Sequence, residues 1–129
     1  MSNLNFIAPF FIVENLQPSV AFYVEKLGFE IKFIGPDDDP YFAIVGRDGV
    51  WINLKAITSD IKPVPNHTRH EWARWDAYIS TDDPEVLFEE YHSKGVTFRQ
   101  SLMVNSDNLL GFEVDDADGY VLFFGTPNV

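Results

Sequence analysis

The chain has 129 residues, 46% of them hydrophobic and 16% aromatic, which is enough apolar material for one packed domain and excludes global disorder. Nine lysines and arginines against 20 aspartates and glutamates leave a formal net charge of −11; such a surface repels nucleic-acid phosphates and anionic lipid and suits a neutral or cationic small molecule, with solubility alone as the plainer reading. The chain has no cysteine, which excludes disulfides, thiol catalysis and zinc–thiolate sites; no apolar run approaches the roughly 20 residues of a membrane span, and the N-terminus lacks the features of a signal peptide, so a cytoplasmic protein with no membrane partner is expected.

The elements read in order as one pattern used twice. An apolar stretch, Phe6 to Val13, predicts a first strand, and Pro18 opens a helix in which Val20, Tyr23 and Leu27 recur at helical spacing before Gly28 stops it. A strand from Glu30 to Ile34 follows, then a Gly/Pro/Asp loop. Tyr41 to Val45 and Val50 to Lys55 read as a hairpin around Arg47-Asp48-Gly49. The second half repeats this order: a strand from Trp75 to Ser80, a helix capped at Asp83-Pro84 and stopped by Gly95, a strand near Val96 to Gln100, and a hairpin of Leu110 to Val114 and Tyr120 to Phe124. The expected organisation is therefore a single domain, 1–129, with a first module at 4–55, a connecting segment at 56–72 and a second module at 73–126.

Strand alternation assigns faces. Val50, Ile52 and Leu54 are expected to pack on the first helix, leaving Trp51 and Asn53 opposite. Tyr120, Leu122 and Phe124 take the corresponding side of the second module, leaving Phe123 opposite. Trp75, Ala77 and Ile79 are read as inward, with Asp76 and Tyr78 on the second face, where Phe10 and Glu113 join them. That second face mixes aromatic and polar side chains and must be covered by a partner surface or by a ligand in a cleft.

Asn15-Leu16-Gln17-Pro18-Ser19-Val20-Ala21-Phe22-Tyr23, followed by Lys26-Leu27-Gly28-Phe29, resembles the opening module of the glyoxalase/bleomycin-resistance/extradiol-dioxygenase (vicinal oxygen chelate) superfamily. Val114 to Leu122 resembles its Asp-Pro-Asp-Gly-Asn hairpin, with Ala117 in place of the usual Pro and Tyr120 in place of the usual Asn. The resemblance implies an α+β fold in which two βαβββ modules form a curled mixed sheet around a cleft. It also implies four metal-ligand positions, and these fall on Ala8, Asn53, Asp76 and Phe123. Two of them carry no donor, so no metal and no cofactor is expected. His67 and His70 are read as a solvated loop, His92 as an exposed helix residue and Asp37-Asp38-Asp39 as a solvated turn.

Two functions are then open. The first is a metal-free, bleomycin-resistance-like protein, expected to be a homodimer in the manner of that branch, which binds or sequesters a small aromatic, neutral or cationic molecule in a cleft at the dimer interface and so confers antibiotic resistance. Its ligand-binding residues would be Phe10, Trp51, Tyr78 and Phe123 for stacking, Asp76 and Glu113 for a cationic group, and Asn53 for a directional hydrogen bond. The second is an enzyme of the superfamily, a lyase, isomerase or dioxygenase, using non-standard residues such as Asp76 or Glu113 as general base.

Overall fold

The computed structural model describes residues 2–58 and 60–129. The chain divides into two compact units, Met1–Pro63 and Val64–Val129, and each carries one four-stranded mixed sheet with a helix, so the fold is α+β.

In the first unit the elements are β1 (Phe10–Ile12), α1 (Leu16–Ala21, continued by a π-helical turn over Phe22–Lys26), β2 (Glu30–Gly35), β3 (Phe42–Arg47) and β4 (Val50–Lys55). The sheet order is β1-β4-β3-β2. β1 runs parallel to β4, and the other pairs are antiparallel. The first strand is shorter than the apolar run predicts. Its ladder runs from the Pro9 carbonyl, which accepts from Asn53 N at 2.9 Å, to Val13 N, which donates to Lys55 O at 2.9 Å. Pro9 has no N–H to extend it, and Leu4, Phe6 and Ile7 before it are exposed. Gly28 takes φ 74° directly after the helix, as a C-terminal stop requires.

The second unit repeats the order with β5 (Ala77–Ser80), α2 (Pro84–Ser93), β6 (Phe98–Val104), β7 (Leu109–Asp115) and β8 (Val121–Pro127). Its sheet order is β5-β8-β7-β6, with β5 parallel to β8. The Asp83 carboxylate accepts from Val86 N at 3.2 Å at the start of α2, an N-cap contact that satisfies one of the otherwise orphaned first-turn donors. Gly95 closes the helix at φ 73°. β6 lies further along the chain than expected because it is an edge strand with two irregularities, between Phe98 and Gln100 and between Gln100 and Met103. Each places an extra residue on one strand and resets the alternation that the sequence pattern relies on.

The helix-facing cores follow the predicted alternation. Phe11, Val13, Ala43, Val45, Ile52 and Leu54 are buried in the first unit, as are Val20, Tyr23 and Leu27 of its helical segment. In the second unit Tyr91 of α2 meets Phe112 edge-on at 6.0 Å and Phe124 at 5.5 Å, while Phe88 lies 4.5 Å from Phe98. Each fully buried large apolar side chain contributes roughly 1.5–3 kcal/mol, so these faces hold each module together. They also fix which side chains are left for the opposite face. None of the helices among the described residues is long and apolar enough to cross a membrane.

Candidate functional site

In the first unit, β4 presents Trp51 and Asn53 on the face away from α1, since Ile52 and Leu54 between and beyond them are buried. Asn53 lies in register with Phe10 of β1 and Ile44 of β3, and Trp51 with Gly46. A Cβ at residue 46 would come within 2.8 Å of Trp51 Cδ1, so the indole lies against a strand position that only glycine leaves open. Phe6 meets Trp51 at 5.0 Å, and Lys32 Nζ sits 5.7 Å from its ring. Phe10, 55% exposed, stacks on Phe42 at 6.2 Å, and Phe42 in turn meets Phe33 at 6.1 Å. The three first-module site residues therefore share one face, which is aromatic and open.

The second unit is built differently. Tyr78 and Glu113 are both in register with Phe123. Phe123 is fully buried, its ring lying over a cross-strand pair of glycines, Gly111 and Gly125. A Cβ on either glycine would meet the Phe123 ring at 2.5–2.6 Å. On the ring's far side Trp75 stacks at 4.3 Å and 22°, and Tyr78 lies beside it at 5.5 Å and 25°. Trp75 Nε1 donates to Glu113 Oε2 at 2.9 Å. Glu113 is 5% exposed and its other oxygen lies 3.8 Å from Arg99 Nε. The irregularity between Phe98 and Gln100 sets Gln100 opposite Glu113, where its Nε2 is buried and has no partner among the described residues.

Trp75 corrects the sequence expectation. Alternation through a strand beginning at Trp75 assigns it inward with Ala77 and Ile79, but its ring packs with Phe123, Tyr78 and Glu113 on the second face. The strand begins only at Ala77, because Asp76 turns its side chain back on the backbone. Asp76 Oδ1 accepts from Asn66 N at 2.9 Å and Oδ2 from Val121 N at 2.8 Å, while its own N–H donates to Val121 O. One carboxylate oxygen thus ties the segment before β5 to β8 and the other ties it to Asn66. His67 is also not a freely solvated loop residue: it lies in a 3-10 turn, Asn66–Thr68, half-buried, and its Nε2 donates to Gly119 O at 3.0 Å. Since a carbonyl only accepts, that bond fixes the proton on Nε2.

The four positions at which metal-binding members of the superfamily would place ligands do not fit a metal here. Ala8 and Phe123 have no donor atom, Phe123 is covered by Trp75, and both Asp76 oxygens already accept backbone N–H groups. Among the described residues no group of three His, Asp or Glu side chains converges in a metal-holding arrangement. Asp76 is equally ill-placed as a general base, for the same two bonds occupy it.

Comparison with known proteins agrees with this architecture. Residues 3–124 match the family described as Glyoxalase/Bleomycin resistance protein/Dioxygenase superfamily, and the chain belongs to it. Similar solved structures include UcmS2, at 18% identity and TM-score 0.71 over 96% of this chain and 98% of that one. The bleomycin-binding protein of bleomycin-producing Streptomyces verticillus, solved with copper(II)-bleomycin, is similar at 23% identity and TM-score 0.69 over 96% and 97%. TnmS3, an antibiotic binding protein from Streptomyces sp. CB03234, is similar at 18% identity and TM-score 0.66 over 98% and 97%. No curated protein matches the chain by sequence.

Proposed function

We propose that this protein is a metal-free member of the bleomycin-resistance-like branch that binds and sequesters a small aromatic, neutral or cationic molecule against its aromatic sheet faces, in a cleft formed at the interface of a homodimer. The observation that carries this reading is the layered cluster of the second unit, in which Trp75, Tyr78 and Phe123 stack beside the nearly buried Glu113 carboxylate. Flat rings offer large contact area at low conformational cost, and a carboxylate beside them selects for positive charge. The open face of the first unit, with Phe10, Trp51 and Asn53, supplies the same chemistry with a hydrogen-bonding amide in place of the carboxylate. Structural likeness to bleomycin- and antibiotic-binding proteins supports the ligand class.

The test is thermal. A ligand that binds only the folded state raises the melting temperature in a concentration-dependent way. A planar aromatic cation such as proflavine is expected to do so whether or not a chelator is present, and Trp51→Ala and Tyr78→Ala are expected to reduce the shift without changing the unliganded fold. Stoichiometric divalent metal in untreated protein, or no shift with any planar aromatic, would overturn the proposal.

A further inference from the structure

The outer face of Trp75 is already occupied. Phe123, stacked at 4.3 Å, fills one face of the indole. The Arg74 guanidinium carbon lies 4.7 Å from the ring centre, and with one face filled it covers the other. Arg74 is held there by an ion pair between its Nη2 and the Asp107 carboxylate in the turn between β6 and β7. The contacts of Lys32 on Trp51 and of Lys55 on Tyr41 are longer, at 5.7 and 5.8 Å. Both members of the Arg74–Asp107 pair are well exposed, with side chains 40% and 56% accessible, so the pair itself adds little stability. A weakly held, solvent-exposed planar cation on an aromatic face can be exchanged for another planar cation at small cost.

We infer that Arg74 is a specificity-determining residue that fills the ligand's seat on Trp75 in the free protein: a planar cation displaces the guanidinium and stacks on the indole in its place. The inference rests on the aromatic-ligand function proposed above and adds which ring receives the ligand and why that ligand is charged. The seat selects for positive charge twice. The same π-face that holds Arg74 receives the ligand, and Trp75 is hydrogen-bonded through Nε1 to the Glu113 carboxylate, which makes the ring richer in electrons. The released guanidinium stays within reach of Asp107. An anionic planar molecule gains none of this.

The experiment measures proflavine affinity by fluorescence anisotropy for the full chain and five variants, with anthracene-9-carboxylate as a planar anion of similar size. Arg74→Ala is expected to tighten proflavine about tenfold and Asp107→Asn, which loosens Arg74 without removing it, about threefold. Trp75→Leu combined with Arg74→Ala should cancel the gain. Arg69→Ala removes an equal charge at an exposed residue just after the 3-10 turn, where Arg69 bonds to Asn66, and is expected to leave affinity unchanged, which separates a vacated seat from a change in net charge. Anthracene-9-carboxylate should not bind more tightly to the Arg74 variant than proflavine does. Proflavine binding that responds to Tyr78→Ala but is unchanged or weakened by Arg74→Ala overturns this inference and leaves the proposed function standing. An equal gain from Arg69→Ala also overturns it. Absence of proflavine binding in every variant overturns this inference, and the proposed function falls with it only if no other planar aromatic raises the melting temperature.

Discussion

The two modules share a register and differ in what they place on it. Phe10, Asn53 and Ile44 are aligned across β1, β4 and β3 as Tyr78, Phe123 and Glu113 are aligned across β5, β8 and β7. One step along, Phe42 faces Lys55 where Gly111 faces Gly125. The helix-facing sides stay apolar in both, since each must bury the same stripe. The opposite sides diverge. In the second module the glycine pair opens a floor deep enough for Phe123 to lie flat, and Trp75 closes over it. In the first, Phe42 occupies the equivalent of Gly111, and the rings stand in a row at the surface. Removing two side chains from one strand pair thus converts an open aromatic face into a layered one.

Phe123→Ala breaks this contrast most severely. It empties a buried site between the glycine floor and Trp75 and is expected to lower unfolding free energy by about 3–5 kcal/mol, measured by urea denaturation. Asn53→Ala, at the matching position, is expected to cost about 0.5 kcal/mol or less; equal losses would show that the two positions are not different in kind. Next comes Gly111→Ala. The new Cβ would lie 2.3 Å from the Phe124 carbonyl oxygen as well as against Phe123, so backbone must shift, at about 1–3 kcal/mol. For Gly46→Ala the nearest atoms belong to the side chains of Trp51 and Lys32, which can shift more readily than backbone, and the substitution is expected to cost less in the same assay.

Asp76→Ala makes the second module resemble the first, where Ala8 stands in the corresponding place. It strips partners from Asn66 N and Val121 N and is expected to cost about 1–3 kcal/mol, with faster amide exchange at Val121 as the local sign. The smallest effect is at high pH. Tyr120 corresponds to the non-ionisable Val50, and burial is the main cause that raises its phenol above the usual 10.0, with Asp116, Asp118 and Asp76 adding to the shift and a backbone hydrogen bond at Val64 opposing it. A group whose folded pKa is raised contributes stability that is complete below its unfolded pKa and is lost as pH rises through the folded value. Wild type is therefore expected to lose stability above about pH 10 more steeply than Tyr120→Phe, as read from melting temperature against pH.

The fold was legible wherever local chemistry and periodicity agreed. β4 spans Val50–Lys55 as its alternation predicts, and Gly28 and Gly95 take the positive φ that their helix-stopping role needs. The two hairpin turns looked alike as Asp-Gly pairs, yet the positive φ falls on Asp48 in one and on Gly119 in the other, a choice made by the whole turn and not by the dipeptide. Trp75 was missed because alternation holds only inside a paired strand, and the bonds of Asp76 delay the pairing by two residues. A signal was present: an aspartate directly before a short apolar strand is well placed to accept backbone N–H groups, which interrupts the phase. The depth of Phe123 was also not readable from its own strand, because it depends on Gly111 in the neighbouring one. The displaced β6 has the same origin, since its edge position and bulges erase a period-two pattern.

The hydrogen bond from Trp75 Nε1 to Glu113 carries a consequence for how the layer can be watched. An indole proton bound at 2.9 Å to a nearly buried carboxylate trades with solvent deuterium only when the surrounding structure opens. Its exchange time is therefore a clock set by the opening of the Arg74–Trp75–Phe123 stack. A small molecule seated on that stack would slow the clock, and the change would be visible as one persistent resonance from a single nitrogen.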